Sequence, residues 1–198
     1  AYFAKADQAL KLPASVLGRY AEAEQAKGNL TQAISIARRA IAMDPQKMQR
    51  KAFLASMLSA SGGRDEAIGI YKEVLKAQPS NHQVANNLAF MMAESGRDLD
   101  EAARLASVCV RERPEVDVFA DTLGFVTLKQ GRYEQAIGLL RGAVKKNPNE
   151  ASYRYHLALA LLGKGDRTGA KQELEQALKL KLEPADRAEV TKLLKSSF

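Results

Sequence analysis

Apolar residues along this chain fall at helical spacing inside a much longer period. Ala136, Ile137, Leu140, Ala143 and Val144 step by three and four, which puts them on one face of a helix. Gly, Asp and Pro interrupt such stretches at regular places. Gly28, Gly62, Gly96, Gly131 and Gly165 are separated by 34, 34, 35 and 34 residues. Ala33, Ala67, Ala102, Ala136 and Ala170 step by 34, 35, 34 and 34, and Pro45, Pro79, Pro114 and Pro148 by 34, 35 and 34. Each period therefore reads as two helices. A Gly turn ends the first, because Gly takes left-handed geometry cheaply. Asp65, Asp100 and Asp166 suit the start of the second. Pro closes the unit, since it cannot continue a helix interior. The one extra residue falls in Arg97-Asp98-Leu99-Asp100-Glu101. Insertions are tolerated in turns and not in helices, so this stretch marks the turn of the third hairpin.

Within each first helix a large residue is followed by a small one: Tyr20-Ala21, Leu54-Ala55, Leu88-Ala89, Leu123-Gly124 and Leu157-Ala158. The small partner lets two helix backbones approach closely. With these pairs the chain resembles the tetratricopeptide repeat, whose 34-residue pattern runs W-x2-L-G-x2-Y, then A-x3-F, then P. The fourth unit fits best, through Leu123, Gly124, Ala136, Leu140, Ala143 and Pro148. There are departures. The Trp site holds Leu17, Lys51, Ala85, Ala120 and Arg154, the Tyr site holds Glu24, Leu58, Met92, Thr127 and Leu161, and Leu182 stands where the fifth Pro is expected. The resemblance implies an all-α, right-handed superhelical solenoid of helix-turn-helix repeats. The five repeats are expected over 14–47, 48–81, 82–116, 117–150 and 151–184.

The ends complete this expectation. Residues 185–198 read as a capping helix with Val190, Leu193 and Leu194 on one side and Arg187, Lys192 and Lys195 on another, as a terminal repeat needs. Residues 1–13 read as a second helix without its first, because Gln8-Ala9-Leu10-Lys11-Leu12 echoes Gln176-Ala177-Leu178-Lys179-Leu180. Further repeats upstream are the expected explanation; a non-repeat capping helix is the alternative. An unpaired helix there would leave apolar surface for self-association.

Composition adds little to this and removes much. Of 198 residues, 46% are hydrophobic, enough for a packed core, and the Ala and Leu bias favours helix. The formal charge of +7 raises nucleic acid as a partner, but the basic residues are scattered and no nucleic-acid motif is readable. Lys76, Arg111, Lys145, Lys146 and Lys179 instead sit near expected helix C-termini, where they oppose the helix dipole. No apolar run reaches the ~20 residues of a membrane span. The two histidines, His82 and His156, have no second ligand at metal spacing and read as surface or packing residues. Cys109 takes a place held by Ala40, Val74, Ala143 and Ala177 elsewhere, which makes it a small packing residue rather than a nucleophile. The Gly residues recur at turn phase and form no phosphate loop. The expectation is no enzyme, no cofactor and no metal.

What remains is a binding surface. In the resembled family the first helices line the inner groove. Groove positions in the first two repeats are small and polar: Ser15, Gly18, Glu22 and Gln25, then Gln49, Ala52, Ser56 and Ser59. In the last three they turn apolar and aromatic: Gln83, Asn86, Phe90 and Ala93, then Val118, Asp121, Phe125 and Leu128, then Ser152, Tyr155, Leu159 and Leu162. The expected partner site is Asn86, Phe90, Asp121, Phe125, Leu128, Tyr155, Leu159 and Leu162, with Asn86 bonding a peptide backbone and Asp121 accepting from a basic side chain. The same rings suit packing between neighbouring helices, and the sequence leaves both readings open. Gly18, Ala52, Asn86, Asp121 and Tyr155 do not reproduce the Lys and Asn set by which chaperone-cofactor members grip a C-terminal carboxylate.

The stretches Asn86-Asn87-Leu88-Ala89-Phe90, Asp121-Thr122-Leu123-Gly124-Phe125 and Tyr153-Arg154-Tyr155-His156-Leu157-Ala158 are similar to closing repeats of bacterial envelope proteins. Those proteins are linked to exopolysaccharide production and exosortase (PEP-CTERM) sorting, and many are lipoproteins. This resemblance implies a scaffold for a protein or peptide partner in the bacterial periplasm or at the outer membrane. A substrate-presenting arm of a larger enzyme and a self-associating module are the alternatives.

Overall fold

The computed structural model describes residues 12–196, which form eleven α-helices and no strand. They are α1 (Ala14–Ala26), α2 (Leu30–Met43), α3 (Met48–Ala60), α4 (Arg64–Ala77), α5 (His82–Ser95), α6 (Leu99–Glu112), α7 (Asp117–Lys129), α8 (Tyr133–Lys146), α9 (Ala151–Lys164), α10 (Arg167–Leu178) and α11 (Pro184–Ser196). Of the N-terminal helix and self-association edge expected over 1–13, residues 1–11 lie outside the described residues. The chain divides into two compact units, one ending at Val84 and the other starting at Ala85.

The period is visible in the backbone. Gly28, Gly62, Gly96, Gly131 and Gly165 all have positive φ, between 66° and 91°. After each, the next residue's N–H reaches back five positions: Asn29 to Glu24, Gly63 to Leu58, Arg97 to Met92, Arg132 to Thr127 and Asp166 to Leu161. This 6→1 bond fills a carbonyl that the helix end leaves open. The third turn closes its bond in the same way and then carries the extra residue. Asp98 there takes φ 49°, alone among described non-Gly residues in having a positive value. Second-helix caps differ from the sequence expectation. Asp166 does cap its helix, accepting from Gly169 N–H at 2.9 Å. Asp65 and Asp100 instead lie inside the first turns of α4 and α6, where their charge meets the positive end of the dipole.

In the first unit α1 packs on α2, α2 on α3 and α3 on α4. Leu17, Tyr20, Ala21, Ile36, Leu54, Met57, Leu58, Tyr71 and Val74 are buried there. Glu24 holds the first turn: its carboxylate accepts from Lys27 Nζ at 2.6 Å and Asn29 Nδ2 at 2.7 Å. Those bonds, Asn29's first, hold it below the usual carboxylate range.

In the second unit two glycines mark close approaches between helices. A Cβ at Gly124 of α7 would lie 2.6 Å from Leu140 Cγ of α8, and one at Gly163 of α9 would lie 2.3 Å from the Tyr133 ring of α8. Cys109 is fully buried at its small-residue position, as are Ala143 and Ala177 at theirs, and burial pushes its thiol up to about 11. Leu182, standing in place of the fifth Pro, is buried in the terminal core with Leu157, Leu161, Leu174 and Val190 of α11. Arg187 of α11 donates to the Leu178 and Leu180 carbonyls and so closes the end of α10.

Candidate partner-binding face

The helices α5, α7 and α9 bring the expected site residues of the second unit together. Phe90 of α5 stacks on Phe125 of α7, with ring centroids 5.2 Å apart and planes at 29°. His156 of α9 lies 4.5 Å from Phe125 and 6.1 Å from Phe90. Tyr155 stands beside His156 at 5.8 Å. Lys129 Nζ sits 5.1 Å from the Phe125 centroid, on the opposite side in sequence from Asp121, which is one turn earlier on α7. Stacked pairs of this kind contribute about 0.5–1.5 kcal/mol beyond the area they bury.

Asp121 and His156 form its polar base. His156 Nδ1 lies 2.9 Å and 3.0 Å from the two Asp121 oxygens. A carboxylate only accepts, so Nδ1 carries the proton and donates. Both residues are buried, at 4% and 7% exposure. The sequence suggests Asp121 as an acceptor for a partner's basic side chain and His156 as a surface or packing residue. The chain itself supplies Asp121 with a donor, and His156 packs while also holding the carboxylate. A signal existed: His156 follows Asp121 by 35 residues in a 34-residue period, which places them on neighbouring first helices.

The eight expected residues divide by exposure. Asn86, Asp121 and Phe125 are buried, whereas Phe90, Leu128, Tyr155, Leu159 and Leu162 are partly exposed. Leu128, Tyr155 and Leu162 also pack against the terminal core, as Leu193 and Leu194 of α11 do. Burial pushes the Tyr155 hydroxyl up to about 12, and the charges of Asp186 and Glu189 on α11 add to it, so it stays a neutral donor. Asn86 Oδ1 is buried with no hydrogen-bond partner among the described residues, which costs about 1–3 kcal/mol.

The equivalent positions of the first unit have a different character. Ser15, Glu22 and Gln49 are exposed, and Ala52, Ser56 and Ser59 are partly buried. Arg50 bonds Asp44 at 2.9 Å, and Lys51 bonds Glu73 at 2.5 Å. Among the described residues no three His, Cys, Asp or Glu side chains gather as a metal site, and no helix is long and apolar enough to cross a membrane.

Comparison with known proteins agrees with this architecture. Tetratricopeptide repeat models match residues 14–47 and 127–194. A TPR repeat-containing protein of Pseudomonas aeruginosa is 41% identical over 58 residues, 29% of this chain and 24% of the relative, so the chain spans about a quarter of that protein's length. Among solved structures, MamA of Desulfovibrio magneticus RS-1 superposes with a TM-score of 0.72 at 17% identity, over 84% of this chain and 94% of that one. Pseudomonas aeruginosa PilF gives 0.69 at 20% identity, over 93% and 85%. A tetratricopeptide repeat protein of Parabacteroides merdae gives 0.80 at 12% identity, over 93% and 72%. With the repeat matched in both units, the left-handed Gly turns in phase and helical hairpins throughout the described chain, this is a tetratricopeptide repeat protein.

Proposed function

We propose that the chain is a non-catalytic scaffold whose α5, α7 and α9 face holds a peptide or a partner subunit. Tetratricopeptide folds generally mediate protein–protein interaction, and one observation carries the assignment to this face. Phe90, Leu128, Leu159 and Leu162 stand partly open on rigid helices, while Phe125, His156 and Asp121 fix the rings from behind. Apolar anchors held in place before binding lose little freedom when a partner arrives. Asn86 Oδ1, one turn from Phe90, is an unfilled acceptor that is buried, so a partner's backbone N–H reaches it only if the side chain turns outward. In this reading Asp121 positions His156 rather than meeting the partner. The five repeats are taken over 14–47, 48–81, 82–116, 117–150 and 151–184, with 185–198 as the cap.

The setting proposed is a bacterial envelope assembly, in exopolysaccharide export or protein sorting, on the periplasmic side. Its support is the similarity of the Asn86–Phe90, Asp121–Phe125 and Tyr153–Ala158 stretches to such proteins, together with a bacterial relative at 41% identity.

The test is site-specific photo-crosslinking in the native host, with the reactive side chain at Leu159 or, as the contrast, at Ser56. A partner trapped from Leu159, absent from Ser56 and lost with Phe90→Ala supports the face. Equal trapping from both positions, or trapping that survives Phe90→Ala in a folded variant, removes it. Phe125 is left intact because its burial would turn truncation into a stability change.

A further inference from the structure

The outer side of α6 departs from the other second helices. Asp100, Ala103, Arg104, Ser107, Val108 and Arg111 form one helical stripe on it, and with Gln130 and Arg132 from the α7–α8 turn they line an open depression of about 830 Å³. The repeat itself shows why the depression exists. At the position of Ala103 three other repeats carry Ile34, Ile68 and Ile137, and at that of Ser107 they carry Arg38, Lys72 and Arg141. Two long side chains are thus replaced by short ones in this repeat alone. Arg104 replaces the Ser35, Gly69, Gly138 and Gln172 of the other repeats, and Val108 replaces Arg39, Glu73, Gly142 and Gln176. None of these choices is needed for stacking, because the buried face of α6 is Ala102, Ala106 and Cys109.

We propose that this depression is a second docking surface, for an acidic extended segment of a partner protein carrying one apolar side chain. Three guanidiniums rim it. Arg104 and Arg132 make no ion pair among the described residues, and Arg111 has only an exposed bond to its neighbour Glu112 at 3.0 Å. Asp100, the one carboxylate in the lining, is engaged by Gln130 Nε2 at 2.8 Å. That contact takes the Asp100 charge out of competition with an incoming acidic group, while Gln130 Oε1 is buried without a hydrogen-bond partner. Val108, at 38% exposure one of two large apolar residues exposed among those described, offers the apolar contact. The chain's net charge of +7 steers acidic partners toward it. No aromatic ring lines the surface to stack a base, which favours an acidic peptide over single-stranded nucleic acid.

The test is fluorescence anisotropy at low salt with a labelled peptide alternating Asp or Glu with Leu, its Asn and Gln analogue, and a single-stranded DNA of equal charge. The expected result is binding of the acidic peptide about tenfold or more above its amide analogue. Arg104→Glu with Arg132→Glu abolishes it. Ala103→Ile, which restores the residue of the other repeats and leaves the charge unchanged, weakens it about fivefold or more. The exposed control pair Lys145→Glu with Lys171→Glu, equal in charge change, and Phe90→Ala each keep it within about twofold. The proposal is overturned if the acidic peptide does not bind, if DNA binds more tightly, if Ala103→Ile binds like wild type, or if the control pair is as damaging as the arginine pair. Phe90→Ala separates this surface from the α5, α7 and α9 face, so either can fail alone.

Discussion

The first helices of the two units share one fold and differ in what they present. At one phase the first unit has Gly18 and Ala52 where the second has Asn86, Asp121 and Tyr155. One turn later it has Glu22 and Ser56 where the second has Phe90, Phe125 and Leu159. The stacking residues do not change: Ala33, Ala67, Ala102, Ala136 and Ala170 are all fully buried. A helical repeat therefore separates two jobs by position. Small residues at fixed places set the spacing of helices, and the presented face is free to become polar or aromatic.

That comparison is broken most severely from the stacking side. Leu140→Ala deletes a fully buried side chain that fills the space left by Gly124, and is expected to cost about 3 kcal/mol in urea unfolding. Next comes the polar base of the aromatic cluster. Asp121→Ala leaves the His156 imidazole buried without its acceptor and is expected to cost about 2 kcal/mol. In a double-mutant cycle with His156→Phe, which keeps a ring against Phe125, the two changes should be coupled by at least about 1 kcal/mol. Additive losses would show that the pair is not a unit. Transplantation sharpens the comparison with a smaller effect. Ser56→Phe in the first unit, at a partly buried position, should change stability by less than about 1 kcal/mol, since stacking does not depend on it.

The smallest effect is one that acid erases. The folded value of Glu24 lies below its unfolded one, so its stabilisation is complete above the ordinary carboxylate range and is lost as pH falls through the depressed value. Glu24→Gln should lower stability slightly at neutral pH, where the wild-type carboxylate is ionised, and converge with wild type below the depressed value, which flattens the acid limb of a stability-against-pH curve.

The hairpins were legible in the sequence because turns and stacking positions are one-body constraints. Gly28 and its equivalents answer to φ alone, and Ala33 and its equivalents answer to one close approach, so each repeats in phase. The candidate face was legible only as a set of positions. That Phe125 is buried while Phe90 is half open depends on what several helices place around each ring, and helical spacing gives them the same phase. Asp121 was assigned to a partner because the sequence does not show a side chain's neighbour across two helices. The caps failed for a local reason: Asp166 directly follows its turn Gly and so precedes α10, whereas Asp65 and Asp100 lie three and four residues past theirs, already inside the first turn.

The chain's single thiol supplies a clock. Cys109 is fully buried, and its raised pKa keeps it protonated, so in the closed protein it meets neither reagent nor base. Its rate of alkylation at neutral pH then counts the moments when α6 parts from its neighbours, with no label introduced and no other cysteine to confuse the signal.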